Sequence, residues 1–417
     1  MSNIKKYIHT HKDEMISLLA ELVAIPSVQG DAENGCPFGS EPARALEKML
    51  DYCKDYGFSV ENIDNYAGTA DFNGNEPALA ILSHLDVVPA GDGWSTSPFT
   101  LKQDGDKLIG RGTIDDKGPA VATVFAMRAV RELKIPLNRG VRLIFGTNEE
   151  NGSNDLKYYR QKRTLPPMVF TPDGQYPIIN VEKGMLRVYF SGNYQGNRIN
   201  AGSVINAVPS ICTVGNNTYL GKAAHASTPE KGENAITKFL SMHEADHPLL
   251  KNLATLFPHG ETNGKSAGLG FSDNVSGNMT CVLSMLNTDD DILSGGIDIR
   301  FPIDKTKAEI SSIISRKLIE AGFEINSIDG VEPHCTDSDS EFVKALLRVY
   351  ERVTGEAGKC IAIGGGTYVH EIEGGVAFGA EFPETDYNMH SPNEFITVND
   401  LLKNAEIIAE AIIEICS

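Results

Sequence analysis

ALAILSHLDVVPAGDGW, residues 78 to 94, is the stretch on which the fold turns. Its first seven residues form a small and apolar run ending on His84, as expected of a strand buried on both faces. Asp86 follows two positions later. In extended chain, residues i and i+2 share a face, so Asp86 lies on the side from which it can support the His84 imidazole. A carboxylate behind a histidine is the arrangement that orients metal-ligating imidazoles. The pair alone does not choose between chemistries, since a His and an Asp closing a strand are more often turn residues than ligands.

Working outward, the same texture recurs. GPAVATVFAMRAVRELK (118–134) reads as a helix of small and apolar residues, GVRLIFGTN (140–148) as a strand, NDLKYYRQK (154–162) as a short helix and MVFTPD (168–173) as a strand. Upstream, Met15, Leu18, Leu19, Leu22 and Val23 fall at helical spacing within residues 11 to 24, and Pro26 ends the pattern. Residues 40 to 57 read as a second amphipathic helix closed by Gly57. Strands alternating with helices imply βαβ units and a mostly parallel sheet. In such sheets ligands gather beyond the carboxyl ends of the strands. Applied here, that rule puts His84 and Asp86, then Glu149 and Glu150, then Asp173 on one rim. GRGTIDDKGP (110–119) adds Asp115 and Asp116 in a loop whose glycines permit tight turns.

After Gly184 the texture changes. MLRVYFSG and VINAVPSICTV read as strands, and TYLGKAAHASTPEKGENAITKFLSMHEA (218–245) as a loop leading into a helix. NMTCVLSML, GGIDIRFPI, a helix over KTKAEISSIISRKLIEAGF and EINSIDGVEP follow, the composition of a small α+β layer inserted into the first domain. The expected division is 1–183 and 335–417 for one domain and 184–334 for the insert. In the last part, 338–355 reads as a helix, CIAIGGGTY and GGVAFGAEF as strands, and DYNMHSPNEF as a loop before a final helix over 397–415.

Bulk properties bound the function. Lys plus Arg number 37 against 56 Asp plus Glu, and a net charge of −19 argues against nucleic acid or an acidic membrane face as partner. The seven cysteines are scattered and form no CxxC pair, which suits reduced thiols better than disulfides or a thiolate zinc site. The first residues lack a signal-peptide pattern and no run reaches the ~18 apolar residues of a membrane span. A cytoplasmic location is the expectation.

SHLDVVP, GRGTIDDKGP, TNEENGS, TPDGQYPIINVEKG, GKAAHASTPEKGENA, IGGGTY and NMHSPNE occur in the order found in the dinuclear-metal peptidases of the aminoacylase/carboxypeptidase superfamily. Within it the chain most resembles the bacterial PepV/Sapep-type dipeptidases; succinyl-diaminopimelate desuccinylase and acetylornithine deacetylase are relatives. The resemblance implies an α/β catalytic domain with a mostly parallel sheet and an inserted α+β lid domain. It implies two divalent metal ions, Zn or Mn, suited to imidazole and carboxylate donors. His84, Asp115, Glu150, Asp173 and His390 would be the ligands, Asp115 bridging both ions, with Asp86 holding the His84 ring. Glu149 would be the general base, free of metal. A cis peptide is implied between Asp115 and Asp116.

In the insert, His225 would donate to the developing oxyanion. Arg300, by its own spacing, reads equally as a carboxylate-binding residue or as an outward residue of an alternating strand; the resemblance implies the first. Gly364, Gly365, Gly366 and Thr367 would cradle a substrate carboxylate with backbone N–H groups. Two features depart from the dipeptidases: Val369 and His370 stand where Ala-Arg is common after GGGTY, and the insert is lean. The implied activity is hydrolysis of the peptide bond of dipeptides or other short peptides by a monomer or homodimer. The alternative is N-acyl amino-acid deacylation or desuccinylation on the same centre.

Overall fold

The computed structural model describes residues 2–242 and 246–417. The chain divides into two compact units, Met1–Asn180 with Thr336–Ile361 and Thr367–Ser417, and Val181–Cys335 with Ala362–Gly366. The short stretch Ala362–Gly366 thus groups with the insert, although the sequence pattern assigned it to the flanking domain.

In the first unit the strands lie in the order Ser59–Ile63, Ala67–Asp71, Gly140–Gly146, Pro77–His84, Met168–Thr171, Val376–Ala377 and Ile178–Glu182. Pro77–His84 runs parallel to both its neighbours, and Val376–Ala377 is parallel to Met168–Thr171. The strands outside this centre pair antiparallel. The central run alternates between two cores as a pleated strand must. Leu79 and Ile81 join the cluster containing Val121, Phe125, Leu143 and Phe170, whereas Ala80 and Leu82 join Ile144, Leu156, Tyr159 and Tyr368. Both faces are therefore covered, which is why the run carries no polar alternation.

The helix Lys117–Glu132 starts directly behind the Asp115–Asp116 loop and packs against the C-terminal helix Val398–Cys416. Gly118 is required at its start, because a Cβ there would fall 2.0 Å from the Thr113 carbonyl oxygen. Lys117 is buried, and its Nζ donates to the carbonyls of Leu22 and Ile25 at 2.9 and 2.8 Å, where the helix Lys12–Val23 ends. A cation at a helix C-terminus satisfies carbonyls left without intrahelical partners.

The second unit carries a seven-stranded antiparallel sheet built around Gly184–Asn193, Thr280–Asp289 and Ile292–Phe301. Its helices, Ala235–Leu240, Pro248–Leu256 and Lys307–Glu320, bury Phe239, Leu253 and Ile314 with Phe190 and Ile299 of the sheet. Thr306 and Glu309 form a reciprocal capping box on the last helix.

Three expectations are corrected. VINAVPSICTV is not one strand but two, Ala207–Val208 and Ile211–Val214 in different sheets, because Pro209 between them has no N–H to continue a ladder. GGVAFGAEF keeps only Val376–Ala377 as strand before the chain turns through Gly379 (φ 94) and a cis Gly379–Ala380 bond. The N-terminal helical pattern extends upstream of residue 11 as a separate helix, Asn3–Thr10. The end of the segment expected to run through His243 to Ala245 lies outside the described residues.

Candidate metal centre

Each residue at the rim is placed by the end of a strand. His84 is the last residue of Pro77–His84, and its backbone N–H donates to Asp116 Oδ2 at 3.0 Å. Its Nδ1 lies 3.0 Å from the main-chain carbonyl of Asp86 and 3.4 Å from the Asp86 carboxylate. A carbonyl only accepts, so Nδ1 carries a proton. The ring's Nε2 points at Asp115 Oδ1, 2.8 Å away, with Asp173 Oδ2 at 3.7 Å. The Asp86 carboxylate has a further role that the sequence pattern did not reveal: its oxygens accept the backbone N–H groups of Glu149 and Glu150 at 3.1 and 3.2 Å.

Asp115 presents its two oxygens to different partners, Oδ1 to His84 and Oδ2 to His390 Nε2 at 2.7 Å. His390 also approaches Glu150 Oε2 at 3.3 Å and holds a positive φ of 57°. Its side chain is 51% exposed, with Nε2 directed at the two acids. Glu149 and Glu150 sit on a single 3-10 turn, Glu149–Asn151, just past the strand Gly140–Gly146. Two sets of donor atoms each converge within 4.8 Å: His84, Asp115 and Glu150, and His84, Glu149 and Asp173. Distance by itself does not separate Glu149 from the ligands. The Asp115–Asp116 peptide is cis.

The electrostatics of the set favour a cation. Burial pushes Glu149 and Glu150 above the ordinary carboxylate range, with the charges of Asp173 and Asp115 adding to it, and pushes Asp173 up to about 8. Burial raises Asp115 too, but hydrogen bonds from His390 and His84 overcome this and hold it well below the usual range. Burial opposes protonation of His390, yet Asp115 and Glu150 push it up to about 11. The imidazoles thus supply positive charge that the crowded acids demand. Among the described residues, the buried oxygens Glu150 Oε1 and Asp116 Oδ1 have no hydrogen-bond partner. Hard and borderline donors with orphaned, buried carboxylate oxygens fit divalent metal ions.

Other expected residues lie in the second unit. His225 pairs in a short ladder with Ala207, and its Nδ1 accepts the Ser227 backbone N–H at 3.2 Å with Ser227 Oγ at 2.7 Å. Arg300 is 4% exposed, which removes the outward-facing alternative. Its Nε and Nη2 grip Asp298 at 2.6 and 3.0 Å, and Nη1 donates to the Gly364 carbonyl at 2.7 Å. The guanidinium therefore fastens the turn that continues through Gly365 and Gly366. Thr367, back in the first unit, caps the turn Tyr368–Glu371 by accepting the Val369 N–H.

Residues not anticipated from sequence support the rim. Buried Glu394 accepts the N–H groups of Ile114 and Asp115 at 3.0 and 3.3 Å and pairs with buried Arg111 at 2.5 Å. Buried Asp155 accepts the N–H groups of Thr147 and Asn148. Both acids stand in stretches that read as exposed loop or helix start, and nothing in their spacing distinguishes a buried carboxylate from a solvated one.

A model of "Peptidase family M20/M25/M40" matches residues 80–414. The Beta-Ala-Xaa dipeptidase of Lactobacillus delbrueckii subsp. lactis is 32% identical, covering 99% of this chain and 98% of its own. The putative dipeptidase YtjP of Bacillus subtilis (strain 168) is 30% identical over 97% of both chains. Human carnosine dipeptidase 1 has the same fold, with a TM-score of 0.69 at 18% identity over 99% of this chain and 98% of its own. The chain belongs to peptidase family M20/M25/M40 and is a metal-dependent peptidase.

Proposed function

We infer that the protein hydrolyses the peptide bond of dipeptides or other short peptides, using two divalent ions, Zn or Mn, held by His84, Asp115, Glu150, Asp173 and His390. The observation that carries this reading is the placement of Asp115, with one oxygen toward His84 and the other toward His390, and Glu149 beside them. When bound, paired ions lower the pKa of a water and polarise the substrate carbonyl. Glu149 takes the proton of the attacking water and hands it to the leaving amine. Asp86 fixes both the His84 ring and the backbone under the two glutamates.

His225, from the second unit, donates from Nε2 to the oxyanion that forms as the carbonyl is attacked. Arg300 acts at the substrate carboxylate by holding Gly364, so that Gly365, Gly366 and Thr367 present backbone N–H groups. Among the described residues no helix is long and apolar enough to cross a membrane, and the seven free cysteines suit a reducing, cytoplasmic setting. Deacylation of N-acyl amino acids is the weaker reading, because the relatives that match nearly end to end carry dipeptidase names.

A panel of dipeptides assayed beside N-acetyl and N-succinyl amino acids, on chelated and on Zn- or Mn-loaded enzyme, tests the proposal. Dipeptides are expected to be cleaved only by the loaded enzyme. Preferential hydrolysis of the N-acyl compounds, or activity indifferent to chelation, would overturn it.

A further inference from the structure

The segment Thr147–Glu150 carries Glu149 and Glu150 but leaves the sheet at Gly146, so its backbone N–H groups have no ladder to join. Two fully buried carboxylates take them instead. Asp155 Oδ2 accepts Thr147 and Asn148 at 2.7 and 2.8 Å, and Asp86 accepts Glu149 and Glu150. Asp155 also has a side-chain donor, the buried Tyr368 hydroxyl, which bonds the same Oδ2. The contact is built in by a missing side chain: a Cβ on Gly146 would fall 1.8 Å from Tyr368 Oη and 2.4 Å from Asp155 Oδ2.

We propose that Tyr368 is a positioning residue for the catalytic glutamates, acting through Asp155, which in turn sets the backbone from which Glu149 and Glu150 project. The functional part of this inference rests on the reading of Glu149 as base. Burial raises Asp155 to about 6, and the Tyr368 hydrogen bond is the first influence working the other way, favouring the ionised form that can accept several N–H donors at once. Burial and the neighbouring Asp155 hold Tyr368 itself well above the ordinary phenol range, so its oxygen keeps the proton it donates. The phenol ring stands edge-on to His84, with centroids 6.2 Å apart, and packs with Leu82 and Ile144 of the sheet and Tyr159 of the helix Asn154–Lys162. Loss of the hydroxyl alone should therefore leave the ring's packing in place.

The test uses the full-length chain with Tyr368→Phe, Asp155→Asn and the double variant. Hydrogen exchange resolved over residues 147–150 is expected to be faster in Tyr368→Phe than in wild type, with bound metal unchanged. On a dipeptide, kcat is expected to fall about 10-fold, the scale of one buried hydrogen bond, with KM within twofold. Adding Tyr368→Phe to Asp155→Asn should cost nothing further, because both act through one carboxylate. Unchanged exchange at 147–150, effects that multiply in the double variant, or a change in KM alone would overturn the proposal. Should Asp155→Asn fail to fold, exchange and the kcat against KM split in Tyr368→Phe still decide it. Should the wild type cleave no dipeptide, the functional reading fails separately, while the exchange measurement still judges the link from Tyr368 to the segment.

Discussion

Glu149→Ala is expected to keep its metals and to lose about 10²–10⁴-fold in kcat, the usual worth of a positioned base. Asp115→Ala should instead lose metal, since its two oxygens face the two histidines. Elemental analysis beside turnover checks both; metal loss in Glu149→Ala would make that residue a ligand. His225 permits a sharper measurement. A backbone N–H can only donate, so the Ser227 amide fixes His225 Nδ1 as an acceptor and leaves the ring proton on Nε2. ¹⁵N spectra of the His225 side chain should show the Nε2–H tautomer, and an Nδ1–H form would remove it as an oxyanion donor in this pose. At this scale the sequence was legible in the strand ends and the loop that carry His84, Glu150 and Asp115, whose donor atoms the fold brings together. It was silent on Glu394, Asp155 and Arg111, whose importance comes from burial, a property of the folded chain.

Elements around the centre depend on a few buried pairs. Arg111 and Glu394 are both buried, and Glu394 also holds the N–H groups of the Asp115 loop. Arg111→Met leaves that carboxylate unpaired in the interior, and about 3–5 kcal/mol of stability should be lost in urea unfolding. By contrast, Arg163→Ala, which breaks an exposed pair with Glu61, should leave the urea unfolding curve nearly where it is in wild type. A loss at Arg111 no larger than at Arg163 would show that water reaches the buried pair. The strands and helices near this loop were readable because both faces of the sheet are covered, which turns each strand into a short apolar run. The short strands of the insert were not. Ala207–Val208 and Ala224–His225 are two residues each and take their register from one another, so no periodicity marks them.

Across the whole molecule, His84, Asp115, Glu150, Asp173 and His390 all belong to the first compact unit. Metal should therefore stabilise that unit selectively, by roughly 4 kcal/mol when the ion is at a thousandfold its Kd. Calorimetry of chelated and loaded protein should show one component of the melting profile move upward and another stay; a uniform shift of the whole profile would mean that the two units unfold together. A change of texture at Gly184 was legible in the sequence, three residues after the second unit begins at Val181. The return of Ala362–Gly366 to the second unit was not, since a five-residue excursion carries too few residues to show a pattern of its own.

The separation of His390 from its partner Asp115 by 275 positions also sets an order of events in the cell. A ribosome releases His84, Asp115, Glu150 and Asp173 first, then the whole second unit, and only afterwards the imidazole that faces the other oxygen of Asp115. At about 5–20 residues per second, that interval lasts on the order of half a minute. Throughout it the nascent chain presents a half-built acidic cluster, and any chain broken off after the second unit never closes it. The pairing of Asp115 with both histidines thus waits on residue 390, and a chain broken off after the second unit lacks one of the two imidazoles.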